Sequence, residues 1–172
     1  PNAILTSHQR YAIAWSRPAV FCLHEDDFND TGMSLKNAND HVVSLGMMLQ
    51  AGFSGVISRK FSMSRLWDFT RRYGCRFFNL LGGMTTAIYA EPPRADDADN
   101  PVRLILSAGM PAAIWKDFSQ RFGVQLFEFY GAAEGGLTFN PTGVGPVGSC
   151  GKAPPSLQLA ILDPDGLERA PG

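Results

Sequence analysis

The stretch Val102–Tyr130, VRLILSAGMPAAIWKDFSQRFGVQLFEFY, decides the architecture. Val102 to Leu106 is a short apolar run of strand character, and Ser107-Ala108-Gly109-Met110 follows it as a turn. Pro111 then stands where proline suits the first turn of a helix, because the N–H it lacks would have no partner there. The helix runs to Phe122 with Ile114, Phe118 and Phe122 four apart on one face, and Gly123 is its expected stop. Val124 to Tyr130 is apolar again. A strand, a helix and a second strand in immediate succession imply parallel pairing, since parallel neighbours need a crossover connection. The strands ending at Ser107 and Tyr130 should then be neighbours whose loops share one cleft.

The same alternation extends upstream. Asn39 to Gln50 reads as a helix with Val42, Leu45, Met48 and Leu49 inward, and Gly55 to Arg59 as a strand. After Lys60, Ser62 or Ser64 can cap a helix carrying Met63, Leu66, Trp67, Thr70 and Tyr73 at helical spacing, with Gly74 as its end. Arg76 to Leu81 is a buried strand, and Gly82-Gly83 leads into a helix over Met84 to Ala90. The acidic, proline-rich segment Glu91 to Pro101 reads as a solvated connection. At 172 residues the chain has room for one core. The expected fold is α/β, a mostly parallel sheet flanked by helices.

Composition narrows the function classes. With 15 basic and 16 acidic residues and a net charge of -1, no field gathers nucleic-acid phosphates. Cys22, Cys75 and Cys150 are far apart and form no C-x-x-C pair, which points away from disulfides and zinc and toward the cytoplasm. The most apolar stretch, His41 to Ser58, is broken by Ser44, Gln50 and Ser54 and falls short of a membrane span. The start at Pro1, without Met, and the loop composition of the end lead us to expect an internal piece of a longer protein.

Several patterns are decoys. Gly143-Val144-Gly145-Pro146-Val147-Gly148 has dinucleotide-loop spacing, but no strand is expected to enter it and Pro146, Pro154 and Pro155 oppose a following helix. Gly151-Lys152 lacks the rest of a phosphate loop. His8, His24 and His41 match no ligand spacing, and Arg59, Lys60 and Arg65 read as a solvated helix entry. The cysteines read as small buried apolar groups. Asp163-Pro164-Asp165-Gly166 is a turn between strands.

In open α/β sheets ligands gather beyond the carboxyl ends of strands. One such end is Ser107, Ala108, Gly109, Met110 and Pro111, where small residues let a flat ligand approach the backbone. The other is Leu126 to Gly136, where strand alternation puts Glu128 and Tyr130 on one side with Phe127 and Phe129 opposite. Tyr130 could lie flat against a base. Glu134 follows small residues and could reach a divalent cation through hard carboxylate oxygens. Taken singly, an ordinary turn, a packed tyrosine and a solvated glutamate explain these residues better.

Phe129-Tyr130-Gly131-Ala132-Ala133-Glu134 resembles the Y-G-x-T-E motif of adenylate-forming enzymes, extended as E-F-Y-G-A-T-E in fatty-acid transport and very-long-chain acyl-CoA synthetases. Arg59 to Asp68 resembles the R-K-F-S-A-S-R-F-W-D segment of that group, and Trp115 to Phe122 its W-x-x-F-x-x-R-F helix. Gly145 to Lys152 is similar to the G-S-V-G-K-P turn, and Pro1 to His8 to the segment after the phosphate loop. The resemblance implies that residues 1–172 form one α/β subdomain of the large AMP-binding domain, with the phosphate loop upstream and the C-terminal domain downstream. It implies ATP, Mg2+ and coenzyme A as cofactor and co-substrates, a carboxylic acid as substrate, and a cytoplasmic or membrane-peripheral location. Tyr130 would stack on adenine, Glu128 would face its amino group, and the Ser107–Pro111 turn would cover the other side, with Gly131 and Ala133 beside the nucleotide. Glu134 would bind magnesium and act in catalysis.

Three departures bear on chemistry. Asn2 stands for a usual lysine and Ala133 for a usual threonine, and Met33 to Asp40 replaces a segment more like L-P-L-F-H-x-x-G. Asn37, Asn39 and Asp40, with Gly82 and Gly83, would line or adjoin the acyl pocket, so a polar acid, as in carnitine-type ligases, is as consistent as a long fatty acid. Alternatives of other classes are a non-catalytic nucleotide-binding relative and a structural or interaction module.

Overall fold

The computed structural model describes residues 29–31, 37, 39–58, 61–132 and 136–169. Expectations that fall on Asn2, His8, Cys22, His24, Arg59, Lys60, Ala133 and Glu134 lie outside the described residues. Among the described residues, six strands form one sheet in the order β2-β1-β3-β4-β5-β6. They are β1 (Asn29–Thr31), β2 (Gly55–Ile57), β3 (Phe77–Leu81), β4 (Leu104–Ala108), β5 (Gln125–Gly131) and β6 (Leu137–Asn140). All pairings are parallel except β5 with β6, which is antiparallel.

The central strands are buried on both faces, as continuous apolar runs require when crossover helices cover both sides. One face packs on α2 (Leu66–Tyr73), α3 (Gly82–Ala90) and α4 (Trp115–Phe122), through Leu66, Phe78, Leu80, Ile88, Ile105, Phe118, Phe122 and Leu126. Trp67 stacks on Phe122 at 4.6 Å between ring centroids. The opposite face packs on a π-helix (Asp40–Gly46) and α1 (Met47–Ala51), through Val43, Met47, Phe53, Phe77, Leu104, Leu106, Phe127 and Phe129. Ile114, Phe118 and Phe122 do share the inward face expected of α4, and Gly123 ends it in the left-handed region.

Several expectations need correction. Over residues 40–46 the backbone winds with the wider π step, so the inward residues are Asp40, Val43, Ser44 and Met47, while Leu49 is 64% exposed. Of the four residues that an α-helical period over Asn39–Gln50 turns inward, Met48 packs against the core as a partly buried side chain, while Val42, Leu45 and Leu49 are not part of it. Gly82 and Gly83 belong to α3 rather than leading into it, and Ser107 and Ala108 belong to β4 rather than to the turn. Pro111 is extended and directly precedes a short 3-10 turn, Ala112–Ile114, before α4.

Strand β6 was not expected. It enters the Gly143–Gly148 segment, so the absence of a strand is no ground for rejecting a dinucleotide loop there. What excludes one is that no helix follows: the chain turns back and Lys152 pairs with Phe139. The Asn140 side chain donates to the Pro146 and Ser149 carbonyls, both at 2.9 Å, and closes that turn. Cys75 is buried as expected, but Cys150 is exposed. Asp163–Gly166 turns between the bridged residues Leu162 and Glu168, not between full strands.

The Glu91–Pro101 segment is anchored, not merely solvated. Arg121 donates to Asp97 at 2.7 Å and to the carbonyls of Tyr89 and Glu91 at 2.8 and 2.9 Å. Arg71 reaches the carbonyls of Asp96 and Asp99. Burial disfavours the charge on Asp97, but the Arg94 N–H and the Arg121 guanidinium outweigh it and hold the carboxyl below its ordinary value.

Candidate functional site

β4 and β5 end side by side, with Ser107 paired in register with Glu128. The parallel neighbours read from the sequence are present. Glu128 joins the two strand ends: one carboxylate oxygen accepts the Gly109 N–H at 2.5 Å and the other the Met110 N–H at 3.1 Å. These are donors that the end of β4 leaves unpaired, and an anion is their strongest acceptor. Burial of Glu128 raises its carboxyl above the ordinary value, with the Gly109 and Met110 N–H groups and the Ser107 hydroxyl opposing that without reversing it. The carboxylate expected to face a ligand is therefore turned into the Gly109 turn of the protein itself.

The turn depends on two glycines. Gly109 has φ +88°, a conformation that L side chains avoid. The first residue of α3, Gly82, packs so close that a Cβ there would collide with the Gly109 carbonyl. Gly82 thus belongs under the Gly109 turn, while Gly83 is exposed with open space where a Cβ would point.

Tyr130, two residues beyond Glu128 and on the same side of β5, is 52% exposed. Gly136 runs beside its ring, where a Cβ would lie 3.6 Å from a ring carbon. Gly131 ends β5 and is exposed, Ala108 packs toward the Phe127–Phe129 face, and Met110 is buried in the α4 core. The structure brings Gly82, Ser107–Met110, Glu128 and Tyr130 to one pair of strand ends.

Asn37, Asn39 and Asp40 form a second group at the start of the π-helix. Asn37 is exposed, and its side chain accepts the Asn39 N–H at 3.0 Å. Asp40 is fully buried. Burial raises its carboxyl above the ordinary value, partly opposed by Ser44 and His41. Two buried polar residues nearby were missed: Ser44, and Asn79 on β3, whose amide donates to the Ser44 hydroxyl at 2.5 Å. The available signal was a polar residue inside each of two apolar runs. A separate groove of about 300 Å³ lies between α4 and the Gly143–Val147 turn, lined by Trp115, Ser119, Asn140 and Gly145 among others. None of the site residues expected from the sequence lines it. Among the described residues, no three His, Cys, Asp or Glu side chains gather as a metal site, and no helix is long and apolar enough to cross a membrane.

Comparisons with known proteins agree with this arrangement. The chain is similar to the medium/long-chain-fatty-acid–CoA ligase FadD17 of Mycobacterium tuberculosis, 34% identical over 99% of this chain and 34% of that protein. It is 33% identical to human long-chain fatty acid transport protein 1 over 88% of this chain and 24% of that protein. It spans about a third or less of the length of these relatives. Among solved structures, the anthranilate CoA ligase AuaEII in complex with anthranoyl-AMP superposes with a TM-score of 0.83 over 96% of this chain and 34% of that one, at 21% identity, and so has the same fold. The family model for AMP-binding enzymes matches residues 3–172, and the chain belongs to that family.

Proposed function

We propose that this chain is one α/β subdomain of the large domain of an ATP-dependent acid–CoA ligase. The observation that carries the reading is the paired end of β4 and β5, where Glu128 braces the glycine turn and Tyr130 stands half exposed beside it. The relatives named as ligases support it. In this reading the substrate carboxylate attacks the α-phosphate of ATP, giving acyl-adenylate and pyrophosphate. The thiol of coenzyme A then displaces AMP to give the thioester.

Tyr130 offers a flat face to adenine, and the Ser107–Pro111 turn, held by Glu128, closes the other side. Gly131 and Ala133 leave room at the nucleotide. Magnesium accompanies ATP and offsets the repulsion of anions brought together. It favours few protein carboxylates plus phosphate oxygens, which suits the single carboxylate of Glu134. The acid lies toward Asn37, Asn39 and Asp40, with Gly83 at the rim. We place the protein in the cytoplasm, where an exposed thiol such as Cys150 stays reduced.

The test is acid-dependent pyrophosphate release by the complete protein. Glu134→Gln keeps size and removes charge, and loss of one such electrostatic contact costs about a hundredfold in rate. Full activity of Glu134→Gln at low magnesium would remove the metal role. A second reading, a nucleotide-binding relative without catalysis, is favoured by Ala133 and Asn2 in place of the family's threonine and lysine. ATP binding without pyrophosphate release across a panel of acids would establish it.

A further inference from the structure

The polar cluster beneath the π-helix is not explained by the fold. Asp40 and Ser44 are fully buried and Asn79 is 3% exposed, on the face of the sheet otherwise packed with Val43, Met47, Phe77, Leu106, Phe127 and Phe129. Asn79 donates its amide to Ser44. The side-chain oxygen of Asn79 and both side-chain polar atoms of Asn39 are buried with no hydrogen-bond partner, and the buried Asp40 carboxylate has only the Ser44 hydroxyl close enough to favour its charge. Native proteins pair almost all buried polar atoms, so a cluster of orphans marks a missing partner. An apolar fold has no use for it, since leaving such atoms unpaired is worse than replacing them with apolar ones.

The orphans are unbalanced. With the Ser44 hydroxyl given to one Asp40 oxygen, three acceptor atoms remain on Asp40, Asn79 and Asn39, against the single donor nitrogen of Asn39. The matching ligand group is therefore a donor. Its depth also follows: Asn79 is two residues back from Leu81, the last residue of β3, and Gly82 packs under the Gly109 turn. That is roughly 7 Å below the strand end at the usual rise of a strand. The raised carboxyl of Asp40 agrees, because burial dominates and its neighbours Ser44 and His41 only partly offset it.

We infer that Asp40, Ser44 and Asn79 recognise a hydrogen-bond donor, a hydroxyl or an ammonium, carried on the acyl chain of the acid several bonds from its carboxylate. The inference rests on the ligase reading and names the substrate class for it. An unsubstituted aliphatic acid would leave the same atoms orphaned.

The experiment measures kcat/KM for pyrophosphate release by the complete protein with ω-hydroxy, ω-amino and unsubstituted acids of matched length, from butanoate to octanoate. A donor-bearing acid of one length is expected to exceed its unsubstituted match by at least ~10-fold, because sites built to pair a polar group discriminate strongly against analogues lacking it. Asn79→Leu should bring that ratio to about one. Asp40→Asn, nearly isosteric and a check should Asn79→Leu fold poorly, should lower the ratio more for the ammonium than for the hydroxyl series. Turnover that favours unsubstituted acids, or a ratio that neither variant moves, overturns the recognition and leaves the ligase reading standing. No release with any acid overturns both.

Discussion

At the scale of single residues, two buried carboxylates titrate in opposite directions. Glu128 is raised by burial, so the stability it contributes is fully present below its ordinary value of 4.5 and is lost as pH rises through the raised folded value. Asp97 is lowered once Arg94 and Arg121 outweigh burial, so its contribution is present above 3.8 and is lost as pH falls through the lowered folded value. In Glu128→Gln, one amide oxygen replaces two acceptors and an NH2 group confronts the Gly109 or Met110 N–H. A cost of about 1–3 kcal/mol is expected, largest in acid and narrowing as pH rises above 4.5. Denaturant melts from pH 4 to 8 would show it, and a deficit widening with pH would contradict the assignment. Arg121→Ala removes the partner of a nearly buried carboxylate, Asp97 being 5% exposed. It should cost about 3–5 kcal/mol, and Asp97→Asn in the same chain should recover part of it.

At the scale of elements, the Gly109 turn rests on α3. Gly82→Ala puts a methyl into the Gly109 carbonyl, which is backbone and cannot swing aside. Overpacking of this kind costs about 1–3 kcal/mol. Gly83→Ala meets open space and should be neutral or slightly stabilising, since alanine is the better helix former. Thermal melts of the pair give the comparison, and equal effects would show that α3 does not seat the turn. Both glycines looked alike in the sequence because close approach across a sheet leaves no local trace.

The same limit explains what else was legible. β3, β4, α4 and β5 could be read because their apolar runs and glycine stops are local signals, and these elements bring Gly109 and Glu128 together. The inward face of residues 40–46 could not, because the π step changes the period that the pattern is read against. β6 has only four residues, between a glycine-rich approach and a glycine-rich turn, and pairs through β5 rather than through any pattern of its own. The Glu91–Pro101 anchor hides in Arg71 and Arg121, whose partners lie about 25 or more residues away. That Glu128 and Tyr130 share one side of β5 was legible from strand alternation, but where the Glu128 carboxylate points depended on which backbone donors β4 left free.

At the scale of the whole molecule, the sheet carries apolar cores on both faces, and adjacent residues of β3 serve each: Phe77 on one, Phe78 on the other. The Gly109 turn, with Met110, faces the α4 side, while the orphaned polar cluster lies on the π-helix side. Acid and nucleotide would thus meet over the strand ends, and joining them is a matter of holding both reactants in place. The chain spans 34% of the FadD17 ligase, so most of what a ligase of that length provides has no counterpart in these 172 residues. We expect the 172-residue chain alone to release no acid-dependent pyrophosphate and to bind ATP weakly, whereas the complete protein does both, because one wall of a site gives partial positioning and partial charge stabilisation. The measurement pairs calorimetric titration of ATP with a pyrophosphate assay on both proteins, each first shown to unfold cooperatively. Acid-dependent pyrophosphate release by the folded 172-residue chain would place the whole of the chemistry among these residues. The cluster of Asp40, Ser44 and Asn79 would then have to be re-examined as part of the catalytic centre itself.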